Sequence, residues 1–422
     1  MKKNYIFSAL LILSCFAAVF QCVDLDLGLE KKRHSEQYLF SVYALHGLFL
    51  FREKLPDNFY AYQNPTELFA SINEPFTHYY PPFYARILLR QLSTETAGVG
   101  VLIDSVETGF IIREVFKNSP AHMAGLKKKD TIVSINGSCI ENYSLEEVNK
   151  RMRGKKGESV VLTVKREVEL LTLSVVMASY LSPSVFVDSL TENTAYILLT
   201  AFYSNTIEKG GSAAEFRKAL EEVSWAENLI LDLRGNRGGE LSQCEKIISE
   251  LVPSGTIIAK RMERDYVEKH NEFTTFEYEW KTTSQGGNLP KRVCILQDTV
   301  TASASELLIL ALKNAEVESV SMGIPTYGKA RGQALLFGPD TSIAMVTRMR
   351  FIPVTGEDYD NSLGIKPDYY IEEDVLNWAL EYFENKALSK RNLSDLTSLE
   401  LLRAQISQAD KPPAAFEIGS GY

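Results

Sequence analysis

The chain has 422 residues, 45% of them hydrophobic and 23% charged, with a formal net charge of −9. That length exceeds one ordinary core, so two or three compact units are expected. The apolar fraction argues against a disordered chain, and the acidic balance argues against nucleic-acid binding through a basic surface.

The N-terminus stands apart from the rest. Lys2 and Lys3 precede an almost uninterrupted apolar run from Tyr5 to Phe20, which is the pattern of an export signal. The run falls short of the roughly 20 apolar residues a bilayer span needs, so residues 1–22 are expected to be removed as a leader, with an uncleaved anchor as the alternative. Cys22 ends the run, and a cysteine there can become the lipid-bearing first residue of a lipoprotein. Gln21 stands where such signals usually carry a small residue, so acylation and plain cleavage both stay open. The expected location is the periplasm or cell envelope, with membrane attachment through the N-terminus if Cys22 is acylated. Beyond the leader, Cys139, Cys244 and Cys294 form no CxxC pair and suggest neither a zinc site nor a disulfide framework. No metal and no cofactor are expected.

From about residue 28 to 94, aromatic and polar residues alternate at helical spacing, as in YLFSVYALHGLFLF. This predicts a helical region whose aromatic stripe packs against the rest of the protein, with His46 and His78 in ordinary structural places. Residues 95–178 read as a second unit, closing on the alternating strand ESVVLTVKRE. Here Gly98-Val99-Gly100-Val101, the stretch SPAHMAGLKKKDTIVSINGSCI and a helix over 144–153 together resemble a PDZ domain. In such a loop, glycine lets successive backbone N–H groups converge on a carboxylate. The strand that follows offers its edge to an extended peptide. The resemblance implies a partner with an accessible protein or peptide C-terminus.

Residues 181–385 alternate buried strands and helices: TAYILLTAF, a helix over 212–223, NLILDLRG, a helix over 241–251, then RVCILQD. This is α/β order with strands covered on both faces. Residues 386–422 read as a helix with a loose polar tail.

ASASE follows RVCILQD and precedes the helical LLILALKNA, so Ser303 falls at a strand-to-helix turn. Helix-start N–H groups there point at the place where negative charge would develop on a substrate. A serine nucleophile needs a base. No histidine follows in this half of the unit, and His270 is isolated, so Lys329 in IPTYGKARGQ, 26 positions on, is the available candidate. It must be neutral to act, which demands burial or hydrogen bonding that lowers its pKa. The glycine-rich turn in NLILDLRGNRGGELSQ offers main-chain amides: Gly239 with Ala304 is the expected oxyanion pair, and Gly238 the competitor for the first place. Phosphate binding is the alternative for such a turn, but no Walker or dinucleotide spacing is present.

The order PDZ, LILDLRGNRGG, TASASE, PTYGKARGQ, LGIKPD resembles the C-terminal processing peptidases, or tail-specific proteases. The resemblance implies an α/β, crotonase-like protease core with an inserted PDZ-like domain and an N-terminal helical region. It makes Ser303 the nucleophile, Lys329 the general base and Gln333 the side chain that orients the lysine amine. Arg237 stands where the family commonly has proline, Thr301 replaces a frequent serine, and the interval from Ser303 to Lys329 is one residue longer, which the loop VESVSMG would absorb. Ser305, Ser321, Asp232, Asp298 and Glu306 are expected in structural places. The rivals are a PDZ scaffold without catalysis, an acyl-CoA enzyme on the same core, and a protease using His270. Oligomeric state is left open.

Overall fold

A computed structural model describes residues 35–92, 95–106, 109–267, 272–283, 291–315 and 317–384. The leader at 1–22 with Cys22, His270 and the tail at 386–422 lie outside the described residues. The chain divides into two compact units, one of residues 1–89, 259–280 and 330–356, the other of residues 90–258, 281–329 and 357–422.

The larger unit is built on a six-stranded sheet in the order Val185–Ser189, Thr194–Leu199, Asn228–Asp232, Arg292–Gln297, Glu318–Gly323, Tyr369–Tyr370. Its first pair is antiparallel and every later pair parallel. Thr194–Leu199 and Asn228–Asp232 are buried at every position, as strands covered on both faces must be. The helices Ser212–Glu222, Leu241–Leu251, Ala304–Asn314 and Val375–Phe383 provide that cover. Because neighbouring strands run parallel, the segments leaving their C-terminal ends emerge side by side, the usual place for a site in such a sheet. Three of these segments are the glycine-rich turn after Asp232, the serine turn after Gln297 and the lysine segment after Gly323. VESVSMG, expected as a loop able to absorb an extra residue, is instead mostly strand: Glu318–Gly323 pairs with Arg292–Gln297 in unbroken register.

The same unit contains an antiparallel sheet ordered Val101–Val106, Gly109–Val115, Thr131–Ile135, Ser159–Arg166, Glu169–Val176, with short helices Pro120–Met123 and Leu145–Arg151. Ser144 caps the second helix in a capping box, its hydroxyl accepting from Glu147 N–H while the Glu147 carboxylate accepts from Ser144 N–H. Val99, Ile103, Phe110, Ile132, Val148 and Leu162 belong to its core. This segment is fastened to the mostly parallel sheet. Leu102 and Phe116 join the cluster of Tyr196, Leu296 and Leu380, and Arg113 pairs with Asp188.

In the other unit, the helices Glu36–Leu48, Pro65–Ala70 and Pro82–Gln91 accompany strands His78–Tyr80, Ile257–Val267, Glu272–Lys281, Arg331–Phe337 and Ile343–Ile352. Tyr38, Leu45, Phe49 and Leu68 pack with Ala344 and Val346, so the aromatic stripe is core as its spacing predicts. A buried polar knot holds the same layer: Arg331 and the Thr347 hydroxyl both donate to Glu74 (2.8 and 2.9 Å).

Candidate active site

The serine turn is assembled by backbone ties to its neighbour. Asp298 Oδ1 accepts from the N–H groups of Val300 and Thr301 and also from Gly235 in the glycine-rich turn (3.0, 2.9 and 3.0 Å). The buried Thr301 hydroxyl donates to Leu233 O (3.0 Å) and accepts from Asp298 N–H (3.0 Å). Threonine thus supplies the hydroxyl that the replaced serine would offer. Asn236 is fully buried. Its carbonyl accepts from Ala302 N–H (3.0 Å) and the Ser305 hydroxyl (3.1 Å), and its amide donates to Leu199 O (2.8 Å).

Ser303 ends this turn as the residue before the Ala304–Asn314 helix, at φ 58° and ψ −115°. A non-glycine residue pays strain for a positive φ of this kind, and such strain clusters at functional sites. Gly238 lies directly against it: a Cβ there would stand 2.9 Å from Ser303 Cβ and 2.8 Å from Ala302 O. Its N–H donates to Asn236 Oδ1 (2.8 Å), so it is committed to the turn. The N–H groups of Gly239 and Ala304 have no hydrogen-bond partner among the described residues. Gly239 is exposed while Ala304 is fully covered, so the two are not equally open to a substrate oxygen in this conformation. Arg237 is exposed.

One carboxylate joins the serine turn to the lysine segment. Glu306 Oε2 accepts from the main-chain N–H groups of both Ser303 (2.7 Å) and Lys329 (3.0 Å). Its Oε1 accepts from Gly328 N–H (2.7 Å) and the Thr326 hydroxyl (2.6 Å). Burial pushes the Glu306 carboxyl above its ordinary value against the pull of those same four donors. Thr326 in turn accepts from Ile365 N–H (2.7 Å), which ties in the LGIKPD segment. Glu306, expected in a structural place, locks the two motif backbones together. Lys329 is half-buried.

The other candidates fall as follows. Asp232 is buried beneath the glycine-rich turn, accepting from Arg234 Nε (2.9 Å) and the Tyr196 hydroxyl (2.8 Å), a structural place. The Ser321 hydroxyl donates to Asp368 (2.9 Å). Cys244 and Cys294 are fully buried and burial pushes both thiols up. Gln333 lies in the other compact unit, at a register irregularity after Gly332, with its Nε2 unpartnered among the described residues. In the PDZ-like segment, Val99 donates its N–H to Met152 O (3.0 Å), so that amide is not open to a carboxylate. Gly100 sits at φ 84° and its carbonyl accepts from the buried Ser119 hydroxyl (3.0 Å). Val101 begins the strand that ends its sheet. Asn236 and Thr326 escaped the sequence reading, because a lone amide or hydroxyl shows its task only once its partners are placed.

Residues 193–371 match Peptidase family S41 and residues 89–165 match the PDZ domain. The chain is 30% identical over 400 residues to a carboxyl-terminal-processing protease of Picosynechococcus sp., covering 91% of this chain and 92% of that one. It is 28% identical over 313 residues to the carboxy-terminal processing protease CtpB of Bacillus subtilis, covering 72% of this chain and 62% of that one. The fold matches the crystal structure of a putative S41 protease from Bacteroides fragilis at a TM-score of 0.53 and 17% identity, over 88% of this chain and 96% of that one. The chain belongs to peptidase family S41, among the carboxyl-terminal-processing serine proteases that carry a PDZ domain.

Proposed function

We propose that this serine peptidase cleaves with a Ser303–Lys329 dyad. The observation that carries the reading is Glu306, whose one oxygen takes the N–H of both residues. In this mechanism the neutral Lys329 amine takes the proton of Ser303 Oγ as that oxygen attacks the scissile carbonyl. The tetrahedral oxyanion forms against the N–H groups of Gly239 and Ala304. Gly238 is the poorer donor because Asn236 already accepts from it. Collapse expels the amine product, which leaves with the proton from Lys329, and the acyl-enzyme is hydrolysed by water through the same base. The role of Gln333 in orienting the amine rests on the family resemblance. So does the reading of the sheet and its helices as a crotonase-like core.

Substrates are polypeptides whose C-terminus enters the PDZ groove at Gly98, Gly100 and Val101, with Val99 holding the loop through its bond to Met152. The position of Val101–Val106 at the end of its sheet supports this, since its outer edge has no strand partner among the described residues. The N-terminal pattern supports export to the periplasm or envelope, with lipid on Cys22 and self-association as open additions. Ser303→Ala and Lys329→Ala, each folded, are expected to abolish cleavage of an apolar-tailed polypeptide while C-terminal peptide binding persists. Full cleavage by Lys329→Ala would remove the dyad, and no cleavage by the wild type would favour the scaffold.

A further inference from the structure

Two large apolar side chains stand in solvent next to these loops: Tyr327, 42% exposed, and Leu363, 63% exposed. Their backbones are built into the site. Tyr327 donates its N–H to Thr301 O (2.9 Å), and Ser362 donates to Gly328 O (3.3 Å). The Leu363 nitrogen lies 2.8 Å from where a Cβ on Gly328 would sit. Tyr327 and Leu363 therefore flank Gly328, which with Lys329 hangs from Glu306.

The segment that carries Leu363 is both anchored and strained. Tyr359 is buried at one end. At the other, Ile365 exchanges bonds with Thr326, its N–H going to the hydroxyl (2.7 Å) and its carbonyl accepting Thr326 N–H (3.2 Å). Between them Asn361, Ser362 and Gly364 have φ of 56°, 66° and 68°. Two successive non-glycine residues in left-handed conformation are held against their preference. The result presents a leucine to water, where packing gains nothing from it. A rigid, preformed apolar surface beside reacting groups is what a binding subsite requires.

We propose that Tyr327 and Leu363 form an apolar subsite for the side chain of a substrate residue flanking the scissile bond. Selection then occurs at the cut itself, in addition to selection at the chain end. The proposal rests on the Ser303–Lys329 reading.

The test compares peptides that share one C-terminal tail and differ only by leucine or serine at the residues flanking the mapped cut. The wild type is expected to prefer leucine at one flanking position. That ratio of kcat/KM values should fall about tenfold or more in Leu363→Ser and Tyr327→Ser, the scale of discrimination by a few apolar groups, and be kept in Leu363→Met. Labelling of Ser303 by a fluorophosphonate, run on every variant, reports the nucleophile separately. Labelling retained with an unchanged ratio in both serine variants overturns the subsite, as does a wild type without preference. Absence of labelling in the wild type overturns the nucleophile reading, and the subsite falls with it.

Discussion

Glu306 illustrates how a single side chain can set the relation between two motifs. Its carboxylate is filled by four donors from four residues, so an amide in its place would turn an NH₂ toward at least one of them. Glu306→Gln is expected to lower stability by about 2 kcal/mol, the scale of charged hydrogen bonds lost in a buried place. It should also lower kcat on the order of 100-fold by displacing the lysine backbone from the serine turn. Steady-state kinetics with thermal denaturation checks both; wild-type kcat in a folded variant would contradict the account. Gly238 makes the complementary point through space. Gly238→Ala is expected to abolish most activity, because the new Cβ meets Ser303 Cβ, Ala302 O and Ala304 N at 2.9, 2.8 and 2.9 Å and the backbone sits at φ 95°. A folded Gly238→Ala with unchanged fluorophosphonate labelling would contradict it. Motif order put Ser303 and Lys329 forward as the dyad, and Gly239 ahead of Gly238 as the donor. The bond from Gly238 N–H to Asn236, which supports that choice, was not legible, since sequence shows a glycine but not where its amide points.

At the scale of elements, parallel register brings the motifs together. Asp232, Leu296 and Met322 lie in successive paired strands, so the segments that follow them start level with one another. Helix and strand positions here were readable because continuous apolar runs ended in glycine or serine turns. VESVSMG misled because its polar glutamate and serines suggest a loop, while pairing on both sides makes it strand. LGIKPD has a similar physical task. Asp368 accepts from Ser321 N–H (2.7 Å) and Lys313 Nζ (2.8 Å). Burial pushes its carboxyl up, but Lys313 and Ser321 outweigh burial and hold it below its ordinary value. A depressed carboxylate contributes stability above its unfolded pKa, and that contribution is lost as pH falls through the folded value. Asp368→Asn should therefore be less stable than wild type at neutral pH, by about 1 kcal/mol since the pair is partly exposed. The deficit should begin to shrink as pH falls to about 4, near the unfolded value, and vanish only below the depressed folded value. Denaturant melts across pH check this, and a deficit that grows on acidification would contradict it.

At the scale of the molecule, the chain visits its smaller unit three times, through residues 1–89, 259–280 and 330–356. The PDZ segment was legible because it is contiguous and carries its own hydrophobic core. The smaller unit was not, because its long strands come from distant parts of the chain. Their pairings, such as Lys260 with Ile352 and Tyr79 with Ala344, are long-range. Local periodicity does not carry such information. Both catalytic candidates lie in the larger unit, on loops of one sheet, and the PDZ segment is fastened to that sheet through Leu102, Phe116 and the Arg113–Asp188 pair. The PDZ segment and the proposed dyad thus belong to one compact unit, while Gln333 belongs to the other.

The central claim is that Ser303 is the nucleophile and that Lys329 activates it. It is tested most directly by mass spectrometry of the acyl or phosphonyl adduct trapped on wild type, Ser303→Ala and Lys329→Ala. The account predicts one adduct, on Ser303, in the wild type, none in Ser303→Ala, and strongly slowed formation in Lys329→Ala. An adduct on another residue, or formation at the wild-type rate without Lys329, would contradict it.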